Sequence, residues 1–198
     1  MPKRAFDLVC AVVGLLMLLP VFAVVALWIK LDSPGPVFFR QERVGRHGVL
    51  FRIHKFRTMG HAGPPGGPLI TVGGDPRITR AGRVLRASKL DELPQLIDVL
   101  LGRMSLVGPR PEVPKYVAMY PGALRDKVLS VRPGITDPVS LRFVDEAALL
   151  AKAADPEREY MEVVMPQKLA AAVAYAEHAT LGSDVRVIGQ TLRSLFTR

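Results

Sequence analysis

Ser88-Lys89-Leu90-Asp91-Glu92-Leu93-Pro94-Gln95 sets two adjacent carboxylates where a basic segment gives way to an apolar run. Behind it, Leu93, Leu96, Ile97, Leu100 and Leu101 recur at the three- and four-residue steps that line one helix face. Ahead of it, Ser88 followed by Asp91 reads as a capping box, with Asp91 a second candidate N-cap. Either register places Asp91 and Glu92 in the first helical turn, where Pro94 is tolerated because early N–H groups are unpaired anyway. Free N–H groups and a partial positive charge there favour an ionised carboxylate and can hold a phosphate. Acidic residues also favour helix starts for purely structural reasons, so this stretch alone does not decide between a site and a cap.

Upstream, Arg77, Arg80, Arg83, Arg86 and Lys89 recur every three residues. A three-step repeat drifts by about 60° each time on an ideal helix, so all five cannot share a face. Most of them read as a solvated or headgroup-facing surface. Arg86 stands apart, because it lies just ahead of the acidic pair. Residues 60–76 hold six glycines and four prolines, which predicts a mobile loop. Before that loop, Val37–Val44 and Val49–Phe56 read as two strands joined around Gly45 and Gly48. Val49, Phe51 and Ile53 alternate with Leu50, Arg52 and His54. The second strand runs into His54-Lys55-Phe56-Arg57-Thr58-Met59 and delivers Lys55 and Arg57 to one edge. Two cations on one strand face suit a diphosphate, though exposed strand charges are often only solvated. His54 has no second histidine at ligand spacing and reads as structural.

Residues 8–29 carry no charged side chain, while Lys3 and Arg4 precede them and Lys30 and Asp32 follow. At about 1.5 Å per residue this run can cross a hydrocarbon core of about 30 Å. It is apolar on every side, unlike an ordinary core helix, and no signal-peptide cleavage site follows it. Membrane insertion is the reading. Pro20 near its middle removes a donor and predicts a kink. Two topologies stand: a re-entrant hairpin with both basic-flanked ends on the cytoplasmic side, and an ordinary span with a bend.

Downstream, Gly108-Pro109-Arg110-Pro111 restricts the backbone on both sides of one guanidinium. A preorganised arginine suits bidentate phosphate recognition, and a structural salt bridge is the competing account. Arg132-Pro133-Gly134 repeats the pattern more weakly. From Asp145 onward the chain reads as helical. Asp155-Pro156-Glu157 is a helix start, Pro166 an interruption, and Ser183–Phe196 a last segment with Val185, Ile188, Leu192, Leu195 and Phe196 on one face.

Across the 198 residues, 27 Lys plus Arg face 18 Asp plus Glu, a formal charge of +9. That sign fits phosphorylated small molecules, an anionic membrane surface or nucleic acid. No aromatic-studded basic platform of the kind that stacks bases is present, which counts against nucleic acid. Cys10 is the single cysteine, so neither an intrachain disulfide nor a cysteine-based zinc site can form.

These motifs resemble one family closely. The apolar segment with Pro20, HKFRTM (54–59), DPRITRAGRVLRASKLDELPQLIDVLLGRMSLVGPRPE (75–112), RPGIT (132–136) and MPQKL (165–169) look like a small monotopic phosphoglycosyl transferase. This is the bacterial sugar transferase family that begins glycan assembly on polyprenol phosphate. The resemblance implies transfer of sugar-1-phosphate from a UDP-sugar to a membrane-embedded polyprenol phosphate, with release of UMP. It implies Asp91 as nucleophile and metal contact, Glu92 as acid/base partner, and Mg²⁺ or Mn²⁺ as cofactor. Lys55, Arg57, Arg86, Gly108, Pro109, Arg110 and Pro111 fall in motifs around the family's active site. Pro20 is the membrane-helix break.

The fold it implies is α+β and mainly helical, with a small β-hairpin and amphipathic helices at the membrane surface. Residues 1–31 would form the re-entrant membrane hairpin. Residues 32–198 would form a catalytic domain on the cytoplasmic face of the bacterial inner membrane, with 145–198 its C-terminal helices. Phospholipid, downstream glycosyltransferases and a second copy of the chain are the remaining expected partners. Two departures from the family pattern stand out. Leu19, not a serine, precedes Pro20, and Asp137-Pro138-Val139-Ser140-Leu141-Arg142-Phe143 replaces the Gly-Trp-Ala-Gln run of larger relatives.

Overall fold

A computed structural model describes residues 2–60, 75–139 and 146–196. The class is α+β and mainly helical, as expected. Helix α1 (Pro2–Asp32) comes first and is long and apolar enough to cross a membrane. Asp7, Ala11, Val25 and Ile29 are buried along it, with Leu15, Leu18 and Phe22 packed on the same side. This near-heptad stripe docks on the rest of the molecule, while Val9, Val12, Leu16, Met17, Leu19, Val24, Leu27 and Leu31 face outward. Pro20 lies inside the element, which runs on through it from Pro2 to Asp32. Pro20 is on the exposed side and costs one backbone bond, while Leu18 and Phe22 on either side of it still dock.

Four short strands follow: β1 (Phe38–Phe39), β2 (Glu42–Val44), β3 (Leu50–Arg52) and β4 (Lys55–Phe56). β2 pairs with β3 and β1 with β4, both antiparallel and in the same register. Ile53 N donates to Gln41 O at 3.0 Å across the gap, so this is the expected hairpin, interrupted once. Phe51 and Ile53 point inward and Leu50 and Arg52 outward, as the alternation required. Val49, expected on the inner face, is in the turn and exposed.

Helix α2 (Arg80–Ala87) leads through a 3₁₀ turn at Leu90–Glu92 into α3 (Gln95–Leu100). Strand β5 (Ser105–Val107) and helices α4 (Pro114–Val117) and α5 (Gly122–Leu129) follow. Strand β6 (Gly134–Thr136) then returns parallel to β5, a pairing the sequence did not signal. The C-terminal part holds α6 (Glu146–Leu150), α7 (Pro156–Glu159), α8 (Met165–His178) and α9 (Leu181–Phe196). Asp155 caps α7 as expected, accepting from Glu157 N and Arg158 N, each at 3.1 Å. Pro166 does not interrupt: a wider π turn at Tyr160–Val164 precedes it, and the proline falls in the first turn of α8, where no donor is needed. In α9 the inward residues are Asp184 and Val187, with Ile188 packed beside them, whereas Val185 and Leu192 are exposed. The expected one-sided stripe is therefore split between core and surface. Of the expected 60–76 loop, residues 61–74 lie outside the described residues, as do 140–143 of the departing run.

Two polar clusters fix α1 at its ends. Near its start, buried Asp7 accepts from Ser105 Oγ at 2.8 Å and Leu106 N at 3.2 Å. Lys3 Nζ donates to Val107 O and the Tyr175 hydroxyl, both at 3.1 Å, and pairs with Asp184. At the far end, Asp32 accepts from Ala81 N at 3.1 Å. Both ends and the middle of the helix thus contact one body.

Candidate active site

The acidic pair does not open a long helix. Ser88 closes α2, its hydroxyl donating back to Val84 O at 2.8 Å, so the capping-box reading fails. Lys89 adopts a left-handed conformation (φ 58°) and turns the chain, and Asp91 and Glu92 sit in the 3₁₀ turn before α3. The expected leucine stripe is also rearranged, for Leu100 and Leu101 are exposed while Gln95 and Asp98 are buried. The cause is the position of α3, which lies between the apolar stripe of α1 and the hairpin. Leu96 and Val99 meet Ala11, Phe51 and Ile53, and the polar side turns toward the strand end at His54.

Asp91 is buried, and its Oδ1 has no hydrogen-bond partner. Burial pushes its carboxyl pKa up, and Lys55, Arg86 and Arg110 pull in the opposite direction. Glu92 is its opposite. Lys55 Nζ donates to Glu92 Oε1 at 2.8 Å, and Arg110 approaches in a two-pronged contact, Nη1 to Oε2 at 3.1 Å and Nη2 to Oε1. Burial disfavours the charge, but Arg110 and Lys55 outweigh it and hold Glu92 well below the usual carboxylate range. Burial lowers the Lys55 pKa in turn, while Glu92 raises that of Arg110. Arg86 comes from α2, with Nε donating to Thr58 Oγ1 at 2.9 Å. Gly82 lets α2 press on that strand end, since a Cβ there would lie 2.0 Å from Thr58 O.

Lys55, Arg86 and Arg110 are therefore brought to the acidic pair, as expected. Arg57 is not. Its buried guanidinium donates to Ser33 O at 2.7 Å and Ile29 O at 3.3 Å, and also to Pro34 O. Its two terminal nitrogens close the carbonyl end of α1, leaving Nε as the one guanidinium nitrogen without a partner; past the end of β4 the chain no longer keeps Arg57 on the Lys55 side. Gly108 is likewise a packing residue. It crosses Gly134 so closely that a Cβ on Gly134 would lie 2.1 Å from Gly108 N, with Gly134 N donating to Pro109 O at 3.0 Å. Pro109 and Pro111 stiffen the segment, and Pro111 O accepts from Arg43 Nη1 at 2.9 Å. Their part is to aim Arg110.

Sequence reasoning missed Asp98. Fully buried, it accepts from His54 N at 2.8 Å, and its other oxygen lies 2.9 Å from His54 Nδ1. This holds the residue next to Lys55 and bears out the structural reading of His54. The available signal was spacing, since Asp98 follows Asp91 by two helical turns. Among the described residues, no group of three or more His, Cys, Asp or Glu forms a metal cage. Asp91 Oδ1 is a hard oxygen that no hydrogen bond occupies.

A buried carboxylate with an unpartnered oxygen among Lys55, Arg86 and Arg110, on a body carrying one helix long and apolar enough to cross a membrane, has the form of a site for anionic groups. The chain belongs to the bacterial sugar transferase family, whose sequence pattern matches residues 1–198. It is 38% identical over 207 residues to a UDP-glucose:undecaprenyl-phosphate glucose-1-phosphate transferase of Caulobacter vibrioides, covering 98% of this chain and 70% of that protein. An exopolysaccharide production protein of Rhizobium leguminosarum bv. phaseoli is 37% identical, with 99% and 96% covered. A UDP-N-acetylgalactosamine-undecaprenyl-phosphate N-acetylgalactosaminephosphotransferase of Aeromonas hydrophila is 36% identical, over 98% of this chain and 44% of its own length.

Proposed function

We propose that this protein transfers sugar-1-phosphate from a UDP-sugar to undecaprenyl or a similar polyprenol phosphate, in the first membrane step of surface glycan assembly. The observation that carries the reading is Asp91, a buried carboxylate whose Oδ1 is unclaimed while Lys55, Arg86 and Arg110 stand around it. In the first step an Asp91 carboxylate oxygen attacks the sugar-bearing phosphorus. The P–O bond to the bridging oxygen breaks, and UMP leaves with that oxygen. In the second, an oxygen of polyprenol phosphate attacks the same phosphorus and the Asp91–phosphorus bond breaks, giving a polyprenol diphosphate sugar. Fixed cations offset the charge that builds on the phosphoryl oxygens at each transfer.

Mg²⁺ or Mn²⁺ fits the donor set. Such an ion is usually held by one or two carboxylates with substrate phosphates and water, and Asp91 supplies one carboxylate here. When bound, the ion would neutralise diphosphate charge.

Glu92 enters this chemistry indirectly. Paired with Lys55 and Arg110, it is a poor proton carrier. A diphosphate that draws those two cations toward itself raises the Glu92 pKa, and only then can the carboxylate take a proton from the acceptor phosphate. Re-entry from one membrane face is supported by α1 itself, because both of its charged ends, Lys3 and Asp32, are tied to one body. We place that body at the cytoplasmic face of the inner membrane.

The test is purified protein with a panel of UDP-sugars, Mg²⁺ and undecaprenyl phosphate. UMP release that depends on acceptor is expected, and acceptor-independent turnover would indicate a hydrolase instead. Labelling of the protein by sugar-phosphorus-labelled donor should disappear in Asp91→Asn. Retained labelling removes Asp91 as nucleophile, and no turnover with any donor would leave a scaffold.

A further inference from the structure

From Leu90 to Leu100 the backbone is right-handed and helical, first as a 3₁₀ turn and then as α3. Asp91, Gln95 and Asp98, four and three residues apart, therefore share a side of it. All are buried: Asp91 is 8% exposed, Gln95 1% and Asp98 0%. A buried polar stripe on a short helix should be fully hydrogen-bonded. This one is satisfied only at its far end. Both Asp98 oxygens are taken up by His54, and Arg103 lies 3.7 Å away. Glu92, on the adjoining side, is occupied by Lys55 and Arg110. Left over are Gln95 Nε2, a donor without a partner, and Asp91 Oδ1, an acceptor without one.

These two atoms sit one helical turn apart and do not bond each other. Each costs about 1–3 kcal/mol while it stays unsatisfied. A sequence that needed only a stable, buried helix side would carry an apolar side chain at position 95, which is 1% exposed. A ligand that satisfies the pair offers an acceptor oxygen to the amide while its electrophilic centre meets the carboxylate. A phosphoryl group under attack by Asp91 has that form.

We infer that Gln95 is a further catalytic residue, donating a hydrogen bond from Nε2 to a non-bridging oxygen of the sugar-bearing phosphoryl group as it passes onto and off Asp91. This rests on the transferase reading above. A neutral donor suits the place, because Lys55, Arg86 and Arg110 already supply charge. A fourth cation beside Asp91 would hold the carboxylate too firmly in its ionised, paired state.

The test pairs activity with thermal stability in Gln95→Met, which keeps the length of the side chain and removes the donor. The expected result is a melting temperature equal to or above that of wild type, because an orphaned amide has been removed. With it comes a loss of roughly 10²-fold in kcat, the usual cost of deleting one transition-state donor. Labelling of Asp91 by donor and its discharge by acceptor should slow together. Gln95→Glu, of the same shape but without the amide donor at neutral pH, should lose a comparable factor. A lowered melting temperature in Gln95→Met overturns the inference, for the amide would then hold the fold, directly or through a buried water. An unchanged kcat in both variants overturns it equally. Failure of the underlying reading is seen separately, as wild-type protein that releases no UMP on addition of acceptor.

Discussion

Glu92 is a residue whose chemistry depends on what occupies its neighbours. Its carboxyl is held below the ordinary value of 4.5 in the folded protein, by Arg110 and Lys55 against the cost of burial. A lowered carboxylate pKa contributes stability that is present above the unfolded value and lost as pH falls through the folded one. Glu92→Gln should therefore be less stable than wild type by about 3 kcal/mol at pH 7, the low end for a broken buried pair. The low end applies because the Arg110 side chain is 36% exposed and partly screened by water. Denaturant titrations should show that gap steady down to about pH 5 and closing in stronger acid. A gap that stays constant through acid would mean that shape, not charge, holds the pair. The pair was visible in the sequence as two adjacent acids. Their opposite states were not, because they follow from which cations the fold brings to each oxygen.

At the scale of elements, Arg57 shows how a local reading goes astray. HKFRTM presents two cations two residues apart, and a strand would put both on one face. The strand ends at Phe56, and Arg57 turns to the open carbonyls of α1 instead. Arg57→Met should loosen the far end of α1 and cost about 3 kcal/mol, since a charged donor to buried carbonyls is lost. Hydrogen exchange should rise at Ile29–Ser33. The donor KM of the folded enzyme should stay within about twofold, because the groups that meet at Asp91 and Glu92 share no partner with Arg57. A large rise in KM with no change in exchange would return Arg57 to the phosphate site. The hairpin and the α7 cap were legible because alternation and capping are local rules. The β5–β6 pairing was not, because a parallel pair joins segments far apart in the chain, here through the Gly108–Gly134 crossing.

For the whole molecule, α1 decides how the protein meets a membrane. Its outward face is a band of Val, Leu and Met, and its inward stripe is clamped from Lys3 to Asp32. Single cysteines at positions 2 and 30, introduced as Pro2→Cys and Lys30→Cys in a Cys10→Ser background, should be labelled from the same side of sealed vesicles. Labelling from opposite sides would make α1 a span and would require its stripe to leave the body it packs on. The sequence by itself determined the apolar run, the hairpin, the acidic pair and the family. Each of these is written in hydrophobic periodicity or in a contiguous motif. Only the tertiary structure decided that α1 is one helix lying along the body, that Arg57 serves that helix, and that Gln95 and Asp91 are left with open valences. Those outcomes turn on which distant groups meet in three dimensions, and on the cost of burying polar atoms that find no partner.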